Sequence, residues 1–262
     1  MEITGYIASI FIGISLGLIG SGGSILTVPV LVYLFGIGVE MSTAYSLFIV
    51  GSTALVGGVR NAFLGNVNYK TAVVFTIPAF IAVYTTRAYL VPAIPSVIMT
   101  LGTYVLTKDI AIMVFFALVM LAASVSMIRN KRKKEENAVP QLNLPIIIIE
   151  GAVVGVLTGI VGAGGGFLII PALVLFAKLP MKKAVGTSLL IIAAKSLIGF
   201  IGDVQRYGDQ LDWTRLLTVT AIAVFGIFIG IYLNTFIDGK KLKKGFGWFV
   251  LLMAVYIIGK QL

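Results

Sequence analysis

The sequence predicts an all-α polytopic membrane protein made of two inverted-topology repeats, each a re-entrant, glycine-tipped helical hairpin followed by three transmembrane helices. Of its 262 residues, 59% are hydrophobic and 11% are charged, and the mean hydropathy is +1.07. A soluble domain cannot bury that much apolar surface. Apolar runs long enough to cross a hydrocarbon core of roughly 30 Å recur along the chain. The third observation is a glycine-rich segment that occurs twice.

The duplicated segment reads GLIGSGGSILTVP at residues 17–29 and GIVGAGGGFLIIP at residues 159–171. At a constant spacing of 142 residues the identical pairs are Gly13/Gly155, Gly17/Gly159, Gly20/Gly162, Gly22/Gly164, Gly23/Gly165, Leu26/Leu168, Pro29/Pro171, Leu31/Leu173 and Val32/Val174. So many matches indicate one structural unit used twice. We therefore expect a first inverted repeat over 1–128, a cytoplasmic basic linker over 129–145 and a second inverted repeat over 146–262.

Each copy begins with an apolar arm that is interrupted. In the first copy the arm over 3–20 stops at the small residues 21–23, where continued helix is costly. A second arm over 24–37 has about 14 residues, some 21 Å of helix, which falls short of a full crossing. A re-entrant hairpin therefore fits better than two spanning helices.

The remaining elements follow in the same order in both copies. The first copy continues with crossings at about 43–64, 69–91 and 108–128. The second copy has an arm over 146–162, a break over 163–166, a short arm over 167–179, and crossings at about 183–201, 213–237 and 245–261. A two-residue loop insertion changes the spacing to 144 from Val67 and Leu211 onward.

Charge indicates the orientation in the lipid bilayer. If the basic cluster of the linker is cytoplasmic, fourteen of the twenty Lys and Arg residues fall on the cytoplasmic side. This agrees with the positive-inside rule and predicts a multi-pass protein of the plasma membrane with both termini outside. Each loop would lie on the same side of the membrane if each hairpin were instead two full crossings, so the charge count leaves that alternative open.

Several function classes lack their usual residues. The chain has no Cys and no His, which removes thiolate and imidazole metal sites and the common groups for catalysis. We therefore expect no enzyme activity, no metal and no cofactor. The net charge of +10 lies in short clusters between apolar segments, which is typical of anchoring loops and does not predict nucleic-acid binding.

The two glycine-rich tips are the predicted site for a small anionic substrate. Inserted from opposite faces, both tips would approach the membrane centre, and the second arm of each hairpin would present its helix N-terminus there. The predicted substrate-binding residues are Gly20, Ser21, Gly22, Gly23, Ser24, Gly162, Ala163, Gly164, Gly165, Gly166, Ser46, Ser188 and Lys195. The alternative is that the small residues only allow close helix packing.

Lys195 is the most conspicuous of these residues. It lies about twelve residues into its span, and the equivalent position of the first copy is Thr53. A charge at that depth is by default functional, so Lys195 could attract the anion or couple transport to protons. The alternative is a structural ion pair with Asp203 or Glu150. Arg87, about four residues from the end of its span, is expected to snorkel to the interface.

The two glycine motifs, the Ser46-Leu47 and Gly186-Thr187-Ser188-Leu189 stretches and the loop over 65–69 together resemble the TauE/SafE family of sulfite and organosulfonate exporters. This resemblance covers about residues 5–260. It implies a proton-driven exporter of sulfite, sulfoacetate or a related organosulfonate. The chain departs from the family at Lys195, where a neutral polar residue such as Asn is more usual.

Two functions remain open at this point. An exporter that works by alternating access fits the duplicated hairpins. A passive anion channel would use the same anion site without a coupling residue. The pattern also allows a homodimer without requiring one.

Overall fold

The computed structural model describes residues 2–20, 23–101, 104–129, 144–161, 169–170, 173–174, 177, 179–237 and 239–261. Ser21, Gly22, the whole second tip from Gly162 to Gly166, and most of the basic linker lie outside the described residues.

Helices make up most of the described chain. In the first half they are α1 (Glu2–Ile19), α2 (Gly23–Tyr33), α3 (Val39–Phe63), α4 (Tyr69–Thr85), a π-helical turn (Thr86–Leu90), α5 (Val91–Ala93) and α6 (Lys108–Arg129). In the second half they are α7 (Leu144–Val161), α8 (Met181–Tyr207), a 3-10 turn (Gly208–Gln210), α9 (Trp213–Asn234) and α10 (Gly239–Gln261). The predicted arms and crossings correspond to these elements, with shifts of a few residues at their ends, except for the short arm over 167–179, most of which lies outside the described residues.

Four of these helical segments are long and apolar enough to cross a bilayer. They are Val39–Phe63, Tyr69–Ala93, Met181–Gln210 and Trp213–Asn234. The predicted crossings at 108–128 and 245–261 correspond to α6 and α10, which pack against each other. This confirms a helical membrane protein.

One element was not predicted from the sequence. Strands β1 (Val97–Leu101) and β2 (Tyr104–Thr107) pair antiparallel between α5 and α6. Both strands are rich in β-branched and other large apolar residues, which favour extended backbone. Pro92 and Pro95 precede them and limit helix here.

Apolar side chains form exposed stripes on the outer helices. On α1, Ile3, Ile7 and Phe11 are 76%, 52% and 58% exposed. On α4, Val73, Ile77 and Ile81 repeat the same spacing of four residues and are also exposed. Residues at that spacing share one helix face, so each helix presents a continuous apolar surface that suits contact with lipid.

Helices α3 and α8 form the centre of the molecule and occupy equivalent positions in the two halves. Gly51 lies against Leu197, and Gly58 lies against Leu190. The residue number rises along one helix as it falls along the other, so the two helices run antiparallel. Their packed faces are the most deeply buried surface among the long helices.

The outer helices pair across the two halves through glycine. Gly13 on α1 lies against the backbone of Ala223 on α9, and Gly155 on α7 lies against the backbone of Ala79 on α4. Because 13 and 155, like 79 and 223, are equivalent positions of the repeat, the same contact is made twice. A Cβ atom at either glycine would collide with the facing carbonyl oxygen.

The loop contacts are duplicated as well. The backbone N–H of Asn68 donates to the Thr187 hydroxyl at 2.9 Å, and the backbone N–H of Asp212 donates to the Tyr45 hydroxyl at 2.6 Å. Asn68 and Asp212 are equivalent, and each side chain also caps the following helix, α4 or α9. Both contacts join one half to the other.

Helices α1 and α2 form an antiparallel hairpin. Gly23, the first residue of α2, packs on Ile12, while Phe35 just beyond α2 packs on Gly5 near the start of α1. The open end of the hairpin therefore lies at the start of α1, and the glycine-rich turn lies at the opposite end.

Candidate substrate site

The first glycine-rich tip lies between α1 and α2, and its described residues are buried. Gly20 has φ +77°, a backbone conformation that glycine adopts without strain and L side chains rarely adopt. Gly20, Gly23 and Ser24 are all buried. Helix α2 starts at Gly23, so the N-terminus of the helix lies at this tip. An anion at this tip would meet donors and the positive end of a helix dipole.

Ser188 attaches α8 to this tip. Its hydroxyl lies 2.8 Å from the Val185 carbonyl oxygen and 3.2 Å from the Gly20 carbonyl oxygen, so the single proton is shared between two acceptors. Ser188 is fully buried. The structure thus brings together two predicted site residues, Gly20 and Ser188, that are 168 residues apart.

Ser46 is the equivalent of Ser188 in the first half. Its hydroxyl is buried and has no hydrogen-bond partner among the described residues. Thr53, seven residues further along α3, is in the same state. Residues seven apart lie on one face of a helix, so α3 carries two buried hydroxyls in line, and α8 carries Ser188 and Lys195 at the same two equivalent positions.

Lys195 is fully buried in the middle of α8. Its Nζ donates to the Thr158 hydroxyl of α7 at 3.0 Å, and that hydroxyl donates to the Val154 carbonyl oxygen at 2.6 Å. No carboxylate lies within ion-pair distance of Lys195 among the described residues. Thr158 is four residues before Gly162, so Lys195 contacts the arm that leads to the second tip.

Residues that flank the two glycine-rich segments share one buried cluster. Ile19 and Ile25, on either side of the first tip, belong to the same buried cluster as Val161 and Ile170, on either side of the second tip. Side chains of α6 and α10 complete this cluster, among them Met113, Phe116 and Ile257. Protein side chains therefore fill the space around the described residues that flank the tips.

Arg87 does not snorkel, contrary to the expectation from its position near the end of a span. It is 3% exposed, and its guanidinium binds the Asp203 carboxylate through Nε at 2.9 and 3.1 Å and through Nη2 at 2.7 Å. Asp203 is thereby committed to Arg87, so it is not the partner of Lys195. The physical reason is that α8 brings a buried carboxylate to the π-helical turn, and pairing offsets the cost of burying both charges.

The Arg87 pair continues into a polar network. Arg87 Nη1 donates to the Thr43 hydroxyl at 2.8 Å, and that hydroxyl donates to the Glu40 carbonyl oxygen at 2.7 Å. The Glu40 carboxylate accepts a hydrogen bond from Tyr207 and pairs with Lys108 at 3.2 Å. This network joins α3, α6, α8 and the turn after α4. Sequence reasoning missed it, although two opposite charges in apolar runs were a signal that could have suggested the pair.

The arrangement suits binding of an anion. The described part of the chain holds no group of three or more Asp or Glu side chains that could bind a metal ion. The described residues offer the N-terminus of α2, the buried hydroxyls of Ser46, Thr53 and Ser188 on the central helices, and the ammonium group of Lys195. Such groups donate hydrogen bonds to oxygen atoms that carry negative charge.

Comparison with known proteins identifies the family. Residues 6–257 match the sequence model of the family described as "Sulfite exporter TauE/SafE". The chain belongs to the TauE/SafE family. This confirms the resemblance seen in the glycine motifs.

Relatives of this TauE/SafE protein are described as membrane transporters. A "probable membrane transporter protein" of Xylella fastidiosa (strain 9a5c) is 29% identical over 256 residues, which cover 95% of this chain and 92% of the relative. One from Methanocaldococcus jannaschii is 37% identical over 122 residues, 44% of this chain and 45% of the relative. One from Bacillus subtilis is 25% identical over 234 residues, 89% and 90% of the two chains. No solved structure matches the chain. The protein is a membrane transporter.

Proposed function

We propose that this TauE/SafE protein is a secondary transporter that exports a small sulfur-containing anion, such as sulfite, sulfoacetate or a related organosulfonate. The observation that carries the proposal is Lys195, a buried ammonium group with a hydroxyl as its recorded partner, on the helix that contacts the first tip. A buried charge costs several kcal/mol unless it is paired or hydrated. A transported anion would supply the missing negative charge.

Transport would proceed by alternating access between two inverted repeats, 1–128 and 146–262. The antiparallel packing of the equivalent helices α3 and α8 supports an inverted relation, because equivalent helices of parallel repeats would run the same way. The duplicated contacts between the halves support it as well. The linker over 129–145 would lie in the cytoplasm with both termini outside, in agreement with the charge distribution.

The substrate would lie between the two tips. The first tip would contribute residues Gly20 to Ser24 and the second tip Gly162 to Gly166, with Ser46, Ser188 and Lys195 adding polar groups from α3 and α8. The shared buried cluster of the flanking residues and the unpartnered hydroxyl of Ser46 support this placement. Proton movement would drive export, as the resemblance to the TauE/SafE family implies.

Flux in reconstituted vesicles tests this proposal. Sulfite, sulfoacetate, taurine and sulfate are compared side by side, with and without a pH gradient. We expect at least one sulfur-containing anion to move and its accumulation to follow the gradient. Flux that is indifferent to the gradient would indicate a passive channel, and no flux of any of the four would contradict the proposal.

A Lys195→Met variant tests the ammonium group. Removing the charge from a buried site lowers the desolvation cost, so the variant should fold at least as well as the wild type. Sulfite flux should nevertheless fall by about tenfold or more, because the anion loses its charged partner. Lys70→Met is the matched control, since Lys70 is exposed at the start of α4. Normal sulfite flux in Lys195→Met across a range of pH would show that Lys195 does not bind the anion.

A further inference from the structure

A small pocket opens between α1, α3, α8 and α9, at the end of the molecule where α8 begins. Its volume is about 80 Å³, several times the roughly 10–15 Å³ that one ordered water requires. The polar groups that line it are Lys182, Asn61, Asn66, Asn234 and Thr235. No carboxylate is found among the described lining residues. The lining therefore combines one positive charge with neutral amides.

Lys182 has no ion-pair partner within the described ranges of the chain. It lies in the first turn of α8, where backbone N–H groups also lack intrahelical partners. The NH2 groups of Asn61 and Asn234 each donate one hydrogen bond to a backbone carbonyl, of Gly57 and of Leu18, and each keeps a second hydrogen for a ligand. An ammonium group donates three hydrogen bonds. A lining of this kind favours an anion with several oxygen atoms over a cation.

The equivalent place in the other half is already filled by an ion pair. Asn61 corresponds to Asp203, and Ile231 corresponds to Arg87 at the spacing of 144 that applies after the loop insertion. There the guanidinium and carboxylate bind each other at 2.7 to 3.1 Å. At the pocket, Asn61 and Ile231 replace the carboxylate and the guanidinium, so there is no ion pair and the pocket is open. The Asp203 carboxylate thus occupies, next to Arg87, the position that is open next to Asn61.

The pocket leads toward the first tip. Val185 lines the pocket and also lies against Gly20. Lys182, Val185 and Ser188 follow at three-residue intervals along one face of α8, and Ser188 binds the Gly20 carbonyl oxygen. An anion in the pocket would therefore be within about 10 Å of the glycine-rich turn, since six residues of helix span roughly 9 Å.

We propose that this pocket is an anion-binding site that takes a small oxyanion through Lys182 and the amide groups of Asn61, Asn66 and Asn234. The inference rests on the proposed function and deepens it, because the pocket would be the loading site from which the exported anion reaches the tips. It adds residues that the glycine motifs do not include.

Calorimetric titration of the purified full-length protein in detergent tests the site, with sodium sulfite as the probe and sodium sulfate and sodium chloride for comparison. Lys182→Gln should weaken sulfite binding by about tenfold. Lys183→Gln, the same charge change on the next residue, which does not line the pocket, should bind like the wild type. Equal losses in both variants, or chloride binding as tightly as sulfite, would overturn the site.

A second variant places the other half's carboxylate in the pocket. Asn61→Asp should pair with Lys182 and reduce sulfite affinity and flux, while unfolding on heating shows whether the protein remains folded. If wild-type vesicles move sulfite, and Lys182→Gln and Asn61→Asp both bind and move it as the wild type does, the loading site is wrong but the proposed function stands. Wild-type vesicles that move none of the four compounds would overturn the proposed function and the loading site together.

Discussion

At the scale of single residues, the Arg87–Asp203 ion pair is a buried polar link between the two halves. Both side chains are almost fully buried, at 1% and 4% exposure. Removing one partner of such a pair leaves an uncompensated charge, whereas replacing both with apolar residues can be neutral. The net contribution of the pair to the free energy of unfolding is therefore small, but loss of either partner alone is costly.

Arg87→Met should lower the free energy of unfolding by about 3 kcal/mol, because Asp203 would stay buried without its cation. The double variant Arg87→Met/Asp203→Leu should recover most of that loss. Thermal unfolding in detergent measures both, with the exposed Arg206→Gln as control. A double variant that is less stable than Arg87→Met alone would contradict this account.

Unlike Arg87 and Asp203, Ser46 has a buried polar group, its hydroxyl, with no hydrogen-bond partner within the described parts of the chain. Ser46→Ala should change the free energy of unfolding by no more than about 0.5 kcal/mol, because no hydrogen bond to those residues is lost. Sulfite affinity should fall, because we propose that the Ser46 hydroxyl donates a hydrogen bond to the bound anion. The control is Ser9→Ala, a buried serine that bonds to the Gly5 carbonyl of its own helix. If Ser46→Ala binds sulfite as tightly as Ser9→Ala does, Ser46 does not contact the anion.

At the scale of helices, glycine sets how closely the halves approach. Gly13→Val and Gly155→Val should each destabilise the protein by about 3 kcal/mol or more, since the added side chain meets a backbone carbonyl that cannot move aside easily. Gly245→Val, on a helix surface with no atom within 4 Å, is the control. Thermal unfolding midpoints measure the loss. Wild-type stability in Gly13→Val would show that α1 and α9 can separate without cost.

How much the sequence can predict differs between elements. The constant spacing of 142 residues identified equivalent positions, and apolar length located the helices, because both signals are local in the chain. Strands β1 and β2 were missed, since a short apolar run does not distinguish strand from loop or helix. For the site, burial of Lys195 was predictable from its depth. Its Thr158 partner was not, since that contact depends on which helices meet. The opposite charges of Arg87 and Asp203 were a signal for a pair, but the sequence does not show that their helices meet.

At the scale of the whole molecule, the charge distribution predicts which face is cytoplasmic. The chain has no cysteine, so single cysteines can report the accessible face. Gly259→Cys, near the C-terminus, should react with a membrane-impermeant maleimide added to intact cells, because the proposed orientation places the terminus outside. Lys133→Cys in the basic linker should react only after the cells are permeabilised. The cysteine-free parent is the control, and the reverse labelling pattern would invert the proposed orientation.

The glycine contacts of α1 with α9 and of α7 with α4 have a consequence for assembly. Each half contributes a groove that the other half closes, so neither fragment alone has a partner for its narrowest face. Two polypeptides divided within the linker would therefore need each other to become compact, and a single half would complete its surface by pairing with another copy of itself about a two-fold axis. Such self-complementarity is what an ancestral two-chain assembly would have required before the halves were fused.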